Sequence, residues 1–93
     1  MVFTIYVLYS EVHDKIYIGY TSNLLERFKS HNKLGTKGYT KKYRPWVVAY
    51  TEYFDSKKEA MGREKWLKSG VGRRYIHETV IPDYLGSSGS YPP

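Results

Sequence analysis

FTIYVLYSEVHDKIYIGYT, residues 3–21, decides the architecture. Residues 3–9 are β-branched, aromatic or aliphatic without a breaker, and residues 15–20 repeat that character after a mostly polar bend. This is the composition of two strands joined as a hairpin. A four-residue connection at 11–14 pairs Ser10 with Lys15, so the numbers of facing residues keep a constant sum and Tyr6 faces Gly19. The twofold repeat of a strand then puts Tyr17 on the face of Gly19, diagonal to Tyr6 and within reach of a long side chain. Two phenols flank a gap, and glycine within a strand often marks the close approach of a backbone or ligand. The same pattern suits an ordinary aromatic cross-strand pair beside a bulge, and a slip of one residue would put the phenols on opposite faces.

Working outward, Thr21, Ser22 and Asn23 supply capping side chains, with Glu26 placed three residues after Asn23. They predict a helix over 24–32. Residues 33–45 hold two glycines, a proline and five basic residues (Lys33, Lys37, Lys41, Lys42, Arg44) with no acid, which predicts an exposed basic loop. Residues 46–54 read as a third strand. Ser56 to Glu59 has the form of a capping box opening a helix over 57–69 that Gly70 closes. A short third helix is expected over 72–80. The domain is expected over 1–82, with 83–93 as a flexible tail ending in Gly, Ser and Pro. Strand, strand, helix, strand, helix with a hairpin first describes an α+β fold, a small sheet covered by helices.

The chain has 93 residues, 15 Lys and Arg against nine Asp and Glu, and a formal charge of +6. That length suits one domain with one modest core. The positive field makes nucleic acid the first partner to consider, although solvated basic surface has the same composition. There is no cysteine, which excludes a disulfide framework and a thiolate zinc site. Residues 1–10 are too short and too lightly charged for a signal peptide, and no stretch nears the roughly 20 apolar residues that span a bilayer. A soluble cytoplasmic protein, monomeric by default, is the expectation. The eleven tyrosines combine strand propensity with a polar tip that bonds phosphate or water.

On the first helix Leu24, Arg27, Phe28 and His31 share a boundary, with Arg27 and His31 as i, i+4 neighbours. A solvated charge at the edge of an apolar stripe explains either one. Functionally, Arg27 offers a planar fork of donors for phosphate oxygens, and His31 exchanges a proton near neutral pH. On the second helix Ala60, Glu64, Leu67 and Val71 align, which puts a carboxylate in a face that should be buried. Either a cation such as Arg63 or Lys68 pairs with Glu64, or the carboxylate points into a cleft and holds a hard metal ion.

Together these positions resemble the GIY-YIG nuclease family. Thr4-Ile5-Tyr6 stands where the first triplet falls, and Tyr17-Ile18-Gly19 matches the second without change. Residues 21–24 and 26–31 resemble the family's helix with its arginine, and residues 59–69 resemble the segment carrying its metal-binding glutamate. The similarity covers about residues 3–76 and is nearest to the compact single-domain members. Thr4 replaces the first glycine, and Tyr20 stands where some members carry a lysine near the phosphate.

The resemblance implies a three-stranded antiparallel sheet, the hairpin plus a third strand, flanked by two to three helices. It implies an endonuclease that hydrolyses phosphodiester bonds with one Mg²⁺ or Mn²⁺ held by Glu64. Tyr17 is then the general base, Tyr6 orients water or phosphate, Arg27 neutralises transition-state charge and His31 assists proton transfer. A free phenol ionises near pH ~10, so a tyrosine base needs cations close by. Phosphate grip is expected from Lys37, Lys41, Lys42 and Arg44 in the loop and from Lys65, Lys68, Arg73 and Arg74 near the end of the second helix. Such contacts carry little sequence information, so cleavage is expected to be structure-selective or weakly sequence-selective, on DNA ahead of RNA, in repair or recombination. Two rival readings are a catalytically inactive nucleic-acid-binding module that uses its Tyr-rich sheet for stacking, and a domain that binds acidic proteins.

Overall fold

A computed structural model of the chain describes residues 1–29 and 38–90. The hairpin forms in the expected register. β1 (Phe3–Ser10) runs antiparallel to β2 (Lys15–Thr21), with Ser10 opposite Lys15 and Tyr6 opposite Gly19. Asp14 closes the turn at φ 52°, a left-handed conformation that short polar side chains tolerate, and its carboxylate accepts from Tyr9 Oη at 3.1 Å. The third strand, β3 (Val47–Phe54), pairs antiparallel with the other side of β1, so the sheet order is β2-β1-β3. The expected α+β fold is therefore present, with β2 as an outer strand.

Strand alternation separates two cores. On one face Ile5, Val7 and Ile18 join Ala60, Leu67, Ile76 and Val80 from the C-terminal helices. On the other, Tyr6, Leu8 and Trp46 pack with Tyr17, Leu24, Phe28 and Tyr43. α1 (Leu24–Lys29) covers the second face. Asn23 caps it, Oδ1 accepting from Glu26 N and Nδ2 donating to the Glu26 carboxylate, each at 3.2 Å. The continuation of this helix to residue 32 lies outside the described residues, as do His31, Lys33 and Lys37.

The segment read as an exposed basic loop contains a short helix, α2 (Gly38–Lys42). Composition hid it because its aromatic residues, not its helix propensity, hold it down. The Trp46 indole donates to Thr40 O at 2.9 Å and Tyr39 Oη donates to Ile16 O at 2.8 Å. Trp46 itself precedes β3 rather than starting it.

α3 (Lys57–Lys68) begins as a capping box should, with Ser56 Oγ accepting from Glu59 N at 3.3 Å. Arg63 ties it to β3 through a two-pronged bond to Glu52, both contacts at 2.9 Å. Gly70 does not close α3. Ser69 does, and the same residue caps α4 (Gly70–Tyr75) through Oγ. The break rotates Val71 off the buried line, leaving it 67% exposed. The third helix expected over 72–80 is in fact α4 followed by a π-helical turn (Ile76–Val80), and α5 (Ile81–Ser90) continues helically past the expected boundary at residue 82. Val80 and Ile81 are buried, so packing at its start carries a segment whose glycines and serines read as a tail. Among the described residues no helix is long and apolar enough to cross a membrane.

Candidate functional site

A cleft of about 390 Å³ opens at the outer edge of β2, lined by Tyr6, Tyr17, Gly19, Tyr20, Thr21, Arg27 and Glu64. Alternation puts Tyr17 and Gly19 on one face of the strand and Tyr20 on the other, so the cleft wraps around the strand edge. α1 brings Arg27 from one face, and α3, packed on the opposite face, brings Glu64. Four of the five side chains singled out as catalytic from sequence thus share one cavity. The fifth, His31, lies outside the described residues.

Gly19 makes room for the first phenol. A Cβ there would stand 2.5 Å from Tyr6 Oη and 2.7 Å from its Cζ, so the ring lies directly over the glycine. The Tyr6 and Tyr17 rings stack at 6.3 Å between centroids, 22° apart in plane. Tyr17 is also braced edge-on by Trp46 at 6.4 Å.

Burial pushes the Tyr6 phenol above its usual range. A hydrogen bond with Arg27 works against that shift, while the nearness of Tyr17 and Glu64 adds to it. Tyr6 is therefore a protonated donor at neutral pH. The same contact with the Tyr6 phenol raises the Arg27 guanidinium, which stays charged.

The Glu64 side chain is 20% exposed and its Oε2 lies 3.6 Å from Lys68 Nζ. Lys68 is thus its counter-ion, whereas Arg63 is committed to Glu52 and stacks on Trp66 at 4.6 Å. Among the described residues no group of three His, Cys, Asp or Glu converges, so an all-protein cage is absent there. One carboxylate in an open cleft does fit Mg²⁺ or Mn²⁺. Mg²⁺ in particular keeps several waters and is held by one or two carboxylates plus phosphate oxygens.

Lys68 and Arg73, read as phosphate contacts, line a neighbouring cavity of about 260 Å³ with Ile16, Tyr17, Ile18 and Tyr39. Tyr39 also lines this cavity, a position that nothing within a basic glycine-containing stretch foretells, because it depends on the ring turning back onto β2. Lys41 and Lys42 are exposed on α2, and Lys42 lies 5.4 Å from the Tyr43 ring centroid. Arg44 is partly buried beyond α2, and Lys65 and Arg74 are exposed and line neither cavity. Lys37 lies outside the described residues.

The phenols also set an alkaline limit on stability. Burial holds Tyr6, Tyr9, Tyr39 and Tyr50 above the usual phenol range, Tyr50 furthest. The folded state therefore binds these protons more tightly than the unfolded chain. Their contribution is complete below about pH 10 and is lost as pH rises through the folded values. The urea midpoint should be flat from pH 7 to 9 and fall above about pH 10, with part of the tyrosinate absorbance appearing only on unfolding. Full phenol ionisation without loss of the fold would contradict this.

Comparison with known proteins agrees with the fold. A UPF0213 protein of Staphylococcus haemolyticus is 45% identical over 56 residues, covering 60% of this chain and 68% of the relative. A UPF0213 protein of Natronomonas pharaonis is 40% identical over 82 residues, covering 88% and 93%. The solution NMR structure of a UPF0213 protein from Bacillus halodurans superposes with a TM-score of 0.59 at 25% identity, covering 99% of this chain and all of the other. Residues 2–75 match the family model described as the GIY-YIG catalytic domain, a stretch that includes both tyrosines, Arg27 and Glu64, and the chain therefore belongs to the GIY-YIG family.

Proposed function

We propose that the protein is a divalent-cation-dependent endonuclease that hydrolyses phosphodiester bonds in nucleic acid, DNA ahead of RNA. The observation that carries this reading is the meeting of two phenols, a guanidinium and a carboxylate from four different elements in one open cleft. Glu64 would hold a single Mg²⁺ or Mn²⁺, which when bound polarises the scissile phosphate and stabilises the leaving 3′ oxygen. Tyr17, acting as its phenolate, would take the proton of the attacking water and become the neutral phenol. Tyr6, kept protonated, donates a hydrogen bond to that water or to a phosphate oxygen. Arg27, within hydrogen-bonding reach of the Tyr6 phenol, neutralises charge that builds on the phosphate. His31 is assigned the assisting proton transfer from family resemblance alone.

Substrate selection by strand structure, in repair or recombination in the cytoplasm, completes the proposal. The basic side chains on α2 and near the end of α3 are suited to phosphates, and such contacts carry little sequence information. The inactive binding module is the weaker reading. A surface selected only to hold a polyanion gains nothing from a carboxylate in its cleft, because Glu64 repels phosphate unless a cation intervenes.

Nicking of supercoiled DNA, and cleavage of duplex, single-stranded and branched oligonucleotides, should require Mg²⁺ or Mn²⁺ and stop on addition of chelator. Binding to all of these substrates with no cation-dependent cut in any of them would exclude the hydrolase and favour the binding module.

A further inference from the structure

We propose that the cavity walled by Tyr39, Lys68 and Arg73 is a subsite for the backbone phosphate next to the scissile one, together with its sugar. This rests on the nuclease reading above and goes beyond it by assigning the path of the strand. Two observations join this cavity to the catalytic cleft. Tyr17 lines both, and Lys68 of the one is ion-paired with Glu64 of the other. A strand whose scissile phosphate sits by Tyr17 and Glu64 therefore has the second cavity directly beside it.

The lining has the chemistry of a phosphate and its sugar. Two cations face the space, and among the described residues no acid lines it. Arg73 is oriented by its Nε, which donates to Lys68 O at 3.1 Å, and its terminal nitrogens make no hydrogen bond among the described residues. Guanidinium donors held in this way suit two phosphate oxygens at once. The apolar wall is the Tyr39 ring, fixed by its hydroxyl bond to Ile16 O at 2.8 Å and by Tyr43 and Trp46 at 4.9 and 5.9 Å. At about 260 Å³ the space is smaller than the roughly 300–1,000 Å³ of pockets that enclose a whole small-molecule ligand. It matches one unit of a chain that continues beyond it.

Lys68 has two partners within reach, the Glu64 carboxylate and an anion in this cavity. With Glu64 holding a divalent cation, Lys68 would turn from the carboxylate to the phosphate. Cation and nucleotide therefore strengthen each other's binding through Lys68.

The test uses thymidine 3′,5′-bisphosphate as probe, with inorganic phosphate beside it, and calorimetric binding to the whole protein with and without Mg²⁺. Wild type should bind the bisphosphate more tightly than inorganic phosphate. Lys68→Gln and Arg73→Gln should each weaken that binding about tenfold, while Arg73→Lys, which keeps the charge and reports on folding, should lose less. Mg²⁺ should improve probe affinity in wild type, and by a smaller factor in Lys68→Gln. Unchanged affinity in both glutamine variants, or no binding of the bisphosphate by wild type, overturns the subsite. Cleavage is scored separately. Cation-dependent cutting with normal probe binding in both glutamine variants leaves the nuclease and removes the subsite, whereas loss of probe binding in a protein that cuts nothing does the reverse.

Discussion

Tyr17→Phe and Glu64→Ala should each reduce cation-dependent strand cleavage by about 10²–10⁴-fold, the range for loss of a positioned base or a transition-state charge partner. Neither change should unfold the protein. Tyr17→Phe removes a hydroxyl and keeps the ring against Tyr6 and Trp46. Glu64 is partly exposed and its ion pair with Lys68 lies at the surface, where such pairs contribute about 0–1 kcal/mol. The two variants should part in their affinity for nucleic acid. Tyr17→Phe should bind as wild type, while Glu64→Ala should bind slightly more tightly in the absence of a divalent cation, because the cleft loses the Glu64 carboxylate and Lys68 loses its ion-pair partner. Single-turnover cleavage and fluorescence anisotropy on the same oligonucleotide separate these effects. Wild-type cutting by Tyr17→Phe would remove the phenol from proton transfer, and cation-dependent cutting by Glu64→Ala would remove the carboxylate from cation binding.

How far these roles were legible from residues alone depended on whether local rules or distant packing set the geometry. The register of β1 and β2 follows from a four-residue turn and strand alternation, so the meeting of Tyr6 and Tyr17 over Gly19 could be written down in advance. The two helix starts were legible for the same reason, since Asn23 and Ser56 bond to groups only three residues away. α2 was not, because Tyr39 bonds to Ile16 O, whose position depends on the finished sheet, and Trp46 reaches back to Thr40 O from beyond the helix. Glu64 was legible as a carboxylate in an apolar line that is either paired with a cation or turned into a cleft, and the structure shows both at once. Both of its possible partners, Arg63 and Lys68, were nearby in sequence, and only the docking of α3 on β3 settles which is spoken for by Glu52. Val71 was misplaced by continuing the periodicity of α3 through Ser69, a residue whose hydroxyl serves the next helix.

Of the described glycines, Gly72, just after that break at Ser69, has the least room for a Cβ, and Gly72→Ala should be destabilising by about 3 kcal/mol, the upper end for forcing extra volume into packed structure. α4 turns back so sharply that a Cβ on Gly72 would lie 2.1 Å from Trp66 O and 2.5 Å from Leu67 Cα. No side chain can rotate away to relieve this, because the opposing atoms are backbone. Trp66 O is held by bonds from both Ser69 N and Ser69 Oγ, and Leu67 is fully buried. The better helix propensity of alanine, about 1 kcal/mol, is too small to offset separating the two helices. For a chain of this length such a loss lowers the melting temperature by more than about 10 °C. Gly62 supplies the opposite sign within the same region. It lies exposed inside α3 with nothing within 4 Å of its Cβ position, so Gly62→Ala should stabilise by about 0.5–1 kcal/mol. Thermal unfolding of the two single variants side by side tests the close approach directly, since helix propensity alone would make both more stable and only backbone contact at Gly72 reverses one of them.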